Sequence, residues 1–161
     1  MKPVLALLAI SFAGTAANVW LLSGLLPWYL LPDFSFLAIV YAGLFLQGPL
    51  GFLVALPPAL FRELTVGAPP GSFFFASMAL YFLSREIGLR VFFRSELHVL
   101  AVAAGLLAVE SFSIVLLMHL SGARIFSLLW GWKETVRIAW TSLVAVFLFL
   151  DLSSRWQRVR E

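Results

Sequence analysis

Long stretches without a charged side chain decide most of what this 161-residue sequence can fold into. Thirty uncharged residues separate Lys2 from Asp33, twenty-eight separate Asp33 from Arg62, and twenty-one separate Glu63 from Arg85. A helix of about 20 apolar residues crosses the hydrocarbon core of a bilayer, so each window is long enough for at least one crossing. Composition agrees: 62% of the residues are apolar, 12% are charged, and the mean hydropathy is +1.01. Soluble domains carry about 25% charged residues, which is what covers their cores, and this chain falls well short of that. The expectation is an all-α integral membrane protein, a single transmembrane helical domain over residues 1–161, with lipid solvating the apolar remainder.

Six transmembrane helices are expected. The first runs from Val4 to Leu26 and ends at Pro27, beside the interfacial pair Trp28-Tyr29. Its Ala13 to Ala17 stretch resembles a signal-peptide cleavage site, but the apolar run continues to Leu31 and favours an uncleaved span. Gly48-Pro49 divides the second window into two short or tilted helices, Phe34 to Leu46 and Leu50 to Phe61. Pro57-Pro58 interrupts backbone hydrogen bonding in the latter, which then needs protein around it. The fourth span covers Ser72 to Leu83 and reaches toward Phe93, the fifth covers Leu97 to Leu120, and the sixth covers Thr135 to Leu152. Ser121 to Glu134 reads as an interfacial segment or a plain loop.

Six crossings place both termini on one side with Lys2, Arg85, Arg90, Arg94, Arg155, Arg158 and Arg160, against Arg62, Arg124, Lys133 and Arg137 on the other. Seven basic residues against four set both termini in the cytoplasm by the positive-inside rule. Trp28, Tyr29, Trp130 and Trp132 then fall at the outer interface and Trp156 at the inner one. Five spans are the alternative count.

Catalytic chemistry has little to build on. The chain has no cysteine, which removes thiol nucleophiles, disulfides and thiolate metal sites. His98 and His119 stand about 31 Å apart along one helix and cannot share a metal. Nucleophile-elbow, phosphate-loop and zinc-helix signatures are missing from the sequence. No enzymatic activity, cofactor or metal is expected. The net charge of +3 is spread without a long basic run, so membrane orientation explains it better than nucleic acid.

Glu110 is the costliest residue, because a carboxyl halfway along a membrane span needs a proton or a partner. At 100° per residue it shares a face with Ala103, Leu106, Leu107, Ile114 and Leu117, opposite a stripe of Ala101, Gly105, Ala108 and Phe112. The small residues of that stripe suit close helix packing, and the Glu110 face must meet its own bundle or a partner. A bond to a neighbouring serine or backbone group would serve Glu110 equally well. Asp33 is placed to cap the second helix. Arg62-Glu63 reads either as a charge pair at a helix end or, with Pro57-Pro58 and the Gly67 to Gly71 turn, as a rim where a partner or ligand docks. Arg85, Arg90 and Arg94, interleaved with Glu86 and Glu96, are suited to anionic head groups.

Taken in order, these features resemble the MreD family of rod-shape-determining membrane proteins. Pro32-Asp33 opens the second span, Gly48 and Gly51 mark the third, which ends on Glu63, and Gly67 to Gly71 leads into Ser72-Phe73-Phe74-Phe75. Tyr81-Phe82-Leu83 and the intramembrane acid Glu110 extend the likeness over about residues 30 to 120. The chain departs from the family in its Pro57-Pro58 and Pro69-Pro70 pairs, and in Glu63 where aspartate is more usual. The resemblance implies a non-enzymatic scaffold of the cell-elongation machinery in the bacterial inner membrane. It would bind MreC, and through it RodA with its transpeptidase and MreB, regulating peptidoglycan synthesis at the lateral wall. Its partner-binding or structural positions would be Asp33, Arg62, Glu63, Gly67, Gly71, Ala101, Gly105, Ala108 and Glu110. The second reading is the substrate-binding subunit of an energy-coupling-factor vitamin transporter, which needs convergent polar side chains around one pocket.

Overall fold

The computed structural model describes residues 2–17, 27–46, 48–66, 70–90, 96–120 and 128–160. Among these, six α-helices and a 3₁₀ turn, Trp28–Leu30, make up the regular structure: α1 (Lys2–Ala17), α2 (Phe34–Phe45), α3 (Pro49–Val66), α4 (Ser72–Arg90), α5 (Glu96–Leu120) and α6 (Leu128–Arg160). No strand occurs among the described residues. One described helix, over Leu97–Leu120, is both long and apolar enough to cross a bilayer; Val4–Ala17 and Phe34–Phe45 are shorter apolar helices.

Helix α2 is the centre of the bundle. Its sequence, FSFLAIVYAGLF, is apolar all round, so no face of it suits water, and Ser35 to Leu44 are all buried. Every other helix packs against it. The close approach to α4 depends on small residues. A Cβ built on Gly43 would lie 2.6 Å from the Ser84 Cβ, and one on Gly88 would lie 2.6 Å from the Leu44 carbonyl oxygen. Tyr41, Phe45 and Phe149 form an aromatic cluster that ties α2 to α6, with ring centroids 4.9 to 5.8 Å apart.

Several element limits differ from the sequence expectation. Helix α3 does not end at Phe61 but continues to Val66, and it runs through Pro57 and Pro58 without stopping. Those prolines remove the donors that would meet the carbonyls of Leu53 and Val54. The segment is only partly enclosed, with Val54, Ala55 and Ala59 buried and Leu53 and Leu60 exposed. Helix α4, by contrast, continues past Leu83 to Arg90, in line with the expected reach toward Phe93. Helix α6 begins at Leu128 rather than Thr135, so residues 128–134 are its first two turns and not a loop or a separate interfacial segment. Residues 18–26, 91–95 and 121–127, which include the end of the expected first span, Arg94 and Arg124, lie outside the described residues, as does Gly67.

Short connections make successive helices antiparallel, which gathers the start of α2, the end of α3, the start of α4 and the start of α6 at one end of the bundle. The C-terminal ends of α2 and α4 meet at the other end. There, Gly43, Leu44, Gly48, Arg85, Gly88 and Leu89 border an open cleft of about 200 Å³.

Candidate functional site: a buried chain of charges

Five charged side chains from four helices meet inside the bundle. Asp33 stands at the head of α2 as its N-cap, and one carboxylate oxygen accepts from the Phe36 amide at 2.9 Å. The Asp33 amide in turn donates to the Thr141 hydroxyl on α6, at 3.3 Å. The other Asp33 oxygen takes two guanidinium groups, Arg62 from α3 at 2.8 Å and Arg137 from α6 at 3.1 Å. Arg62 also donates to Glu110 on α5, and Arg137 donates through Nε to Glu134 at 3.0 Å. The result is a line of alternating sign, Glu110, Arg62, Asp33, Arg137, Glu134, in which no side chain is more than 15% exposed.

Neighbouring groups complete the network. The Ser111 hydroxyl, next to Glu110 on α5, donates to Glu134 and accepts from Arg137 at 3.3 Å, so both ends of the line are anchored on α5. Phe73 of α4 lies under the Arg62 guanidinium, 5.2 Å from ring centroid to Cζ, a cation–π contact in a desolvated setting. Lys133, just upstream on α6, reaches outward to the Tyr29 ring at 5.8 Å.

Buried ion pairs of this kind are not large net sources of stability, because desolvation consumes most of the Coulombic gain. Their stronger effect is on arrangement. Removal of either arginine leaves carboxylates without a cation, so the line favours a packing of α2, α3, α5 and α6 that keeps all five in contact.

The Arg62-Glu63 pair expected at a helix end does not form, because adjacent residues on a helix point about 100° apart. Arg62 turns inward. Glu63 reaches across the turn to α4, where its carboxylate accepts from the amides of Gly71, at 2.5 Å, and Phe74, at 2.9 Å. It therefore acts as a helix N-terminal cap supplied by the preceding helix, satisfying amides that the first turn leaves unpaired. Gly71 adopts φ +90°, a left-handed conformation that side-chain-bearing residues rarely enter, and it turns the chain into α4.

On α5 the two faces have different fates. Ala103, Leu106, Leu107, Glu110 and Ile114 are buried against the bundle, whereas Ala101, Gly105, Ala108 and Phe112 are exposed on its outside. Among the described residues, a Cβ on Gly105 in this small-residue stripe would meet no atom within 4 Å. Thus the structure brings Asp33, Arg62 and Glu110 together, sets Glu63 and Gly71 beside them at the α3–α4 turn, and leaves Ala101, Gly105 and Ala108 apart. Glu134, Arg137, Ser111 and Thr141 belong to the site as well, although the sequence reading counted Arg137 only as an orienting charge and gave the others no site role. Two signals pointed to them: an intramembrane acid needs a cation at its depth, and Glu134 and Arg137 are three residues apart on one helix face.

Comparison of the chain with family models, with curated proteins and with solved structures finds no match.

Proposed function

We propose that this chain is a multi-pass protein of the bacterial cytoplasmic membrane, with six crossings and both termini cytoplasmic, and that it works as a non-enzymatic scaffold of the cell-elongation complex. The observation that carries the membrane reading is an inversion of the usual soluble pattern. Asp33, Arg62, Glu110, Glu134 and Arg137 are turned inward and bonded to one another, while Leu53, Leu64, Phe75, Leu97, Phe112, Trp132 and Phe147 are each more than 60% exposed. An apolar surface of that extent suits lipid or other membrane helices. The short helix α2 is accommodated because it is enclosed by its neighbours and need not match the bilayer thickness by itself.

The scaffold role rests on the resemblance to the MreD family and fits the side-chain chemistry. The convergent polar groups satisfy one another instead of presenting free donors and acceptors to a solute, which favours a packing role over the vitamin-binding subunit. On this reading MreC is the direct partner, with RodA, its transpeptidase and MreB reached directly or through it, and the exposed α5 stripe is available for helix contact.

Affinity isolation of the full chain from native membranes, with identification of what co-elutes, tests the proposal. Recovery of a periplasmic coiled-coil companion is the expected result. Recovery of a pair of ATPases would overturn it in favour of the transporter subunit. A periplasm-active reporter fused after Glu161 is expected to stay silent, and activity there would reverse the orientation.

A further inference from the structure

Among the described residues, the buried line of charges does not balance. Three carboxylates, Asp33, Glu110 and Glu134, face two guanidinium groups, Arg62 and Arg137. Arginine stays charged in proteins, so ionisation of all three acids would leave one uncompensated negative charge among groups nearly closed to solvent. Such a charge is expensive in a medium of low dielectric, and two acids that share neighbouring cations do not ionise independently.

The hydrogen bonds separate the three acids. Asp33 accepts from two guanidinium groups and a backbone amide, all contacts that suit an anion. Glu134 accepts from Arg137 and from the Ser111 hydroxyl. Glu110 is served by a single cation, Arg62, which it shares with Asp33. Within Glu110 the two oxygens also differ: Oε1 takes the close bond from Arg62 Nη1, whereas Oε2 is 3.4 Å from Nη2, a nitrogen already committed to Asp33 at 2.8 Å. Glu110 is the most enclosed of the five, with a side chain 0% exposed.

We propose that Glu110 is a proton-binding site, in which one proton taken from bulk water resides on Oε2 while Oε1 continues to accept from Arg62. The line then holds two negative and two positive charges. The ionisable groups that face Glu110 are Asp33 at the head of α2, Arg62 on α3, and Glu134 and Arg137 on α6. Helix α4 contributes the Phe73 ring to the Arg62 guanidinium, and its Arg85, Glu86 and Arg90 lie near the opposite end of the helix. Loss of the proton leaves the line with one negative charge in excess among groups nearly closed to solvent. The inference rests on the membrane reading only for the low dielectric around the bundle, and it requires no particular partner.

Infrared spectroscopy of the full chain in lipid nanodiscs at neutral pH reads the proton directly, through the C=O stretch of a protonated carboxylic acid. The band is expected in the wild type, lost in Glu110→Gln, and retained in Glu86→Gln, which removes an exposed carboxylate outside the line. Its absence from the wild type, or its persistence in Glu110→Gln, would overturn the proposal. Gln is the neutral isostere of the protonated acid, so Glu110→Gln is also expected to fold with a melting midpoint close to wild type and without the wild type's loss of stability at alkaline pH. Failure of this variant to fold would count against the proposal. So would stabilisation of the wild type by sodium over a bulky organic cation, which would assign the missing positive charge to a metal ion. Co-isolation can fail while the infrared band is present, so the two proposals fail separately.

Discussion

The two ends of helix α2 are held in opposite ways. At its head, Asp33 is fixed by directional bonds to Arg62, Arg137, Thr141 and the Phe36 amide. At its tail there is no comparable polar network among the described residues. Instead, Gly43 and Gly88 let two backbones approach until a methyl group would not fit. The charged end specifies which helices meet and in what register, because each bond has one partner and one angle. The glycine end specifies how near they come, through dispersion and the exclusion of side chains. A bundle can use both devices, and their failures should look different.

Arg62→Leu is the most severe test of the charged end. It takes away the cation that Asp33 and Glu110 share and leaves Asp33 with Arg137 alone, and a broken buried pair costs about 3–5 kcal/mol. Thermal unfolding in detergent should show a large drop in midpoint or no cooperative transition. Arg62→Lys should recover only part of the loss, because an ammonium group lacks the planar fork that reaches two carboxylates. Wild-type stability in Arg62→Leu would mean that the charged line is incidental to the fold.

At the glycine end, Gly88→Val should cost about 1–3 kcal/mol through overpacking, since the Leu44 carbonyl belongs to a backbone that cannot rotate away. The comparison is sharpened by combining Gly88→Val with an Arg137→Leu change at the other end. Distant sites without shared partners add to within about 0.5 kcal/mol, so a larger departure from additivity would show that the two ends communicate through α2.

Glu63→Ala removes the cap that α3 supplies to α4. A lost cap costs about 0.5–2 kcal/mol, and the amide hydrogens of Gly71 and Phe74 should exchange faster, with those deep in α4 little changed. Faster exchange throughout α4 would mean that Glu63 secures more than the first turn. The smallest effect is expected at Gly105→Leu: the position is open, so stability should stay within about 0.5 kcal/mol of wild type. Recovery of the partner in co-isolation should fall if the stripe seats another helix.

Local signals in the sequence located much of the architecture. The fifth helix was legible almost to the residue because a long apolar run bounded by charges can form little else in lipid. The cap at Asp33 was legible because a carboxylate after proline, followed by an apolar run, has one common use. Helical periodicity separates the Glu110 face from the opposite stripe but does not say which of the two the bundle buries. Nor was the partner of Glu110 legible, since Arg62 is 48 residues away and periodicity describes one helix at a time. Glu63 was misread for the same reason: its partners lie beyond a turn whose path no local pattern describes. The start of α6 is not legible because Lys133, Glu134 and Arg137 place charges within its first three turns, whereas Glu134 and Arg137 are turned inward and the helix continues upstream past them.

The position of Asp33 also bears on how the molecule is made. A ribosome delivers this aspartate early, and Arg62 follows within the next helix pair, but the second guanidinium belongs to the last helix, 104 residues further along. Until that helix arrives, Asp33 has one of its two guanidinium partners. A polypeptide cut short before α6 would therefore lack the Arg137 and Thr141 bonds that help to hold the head of α2.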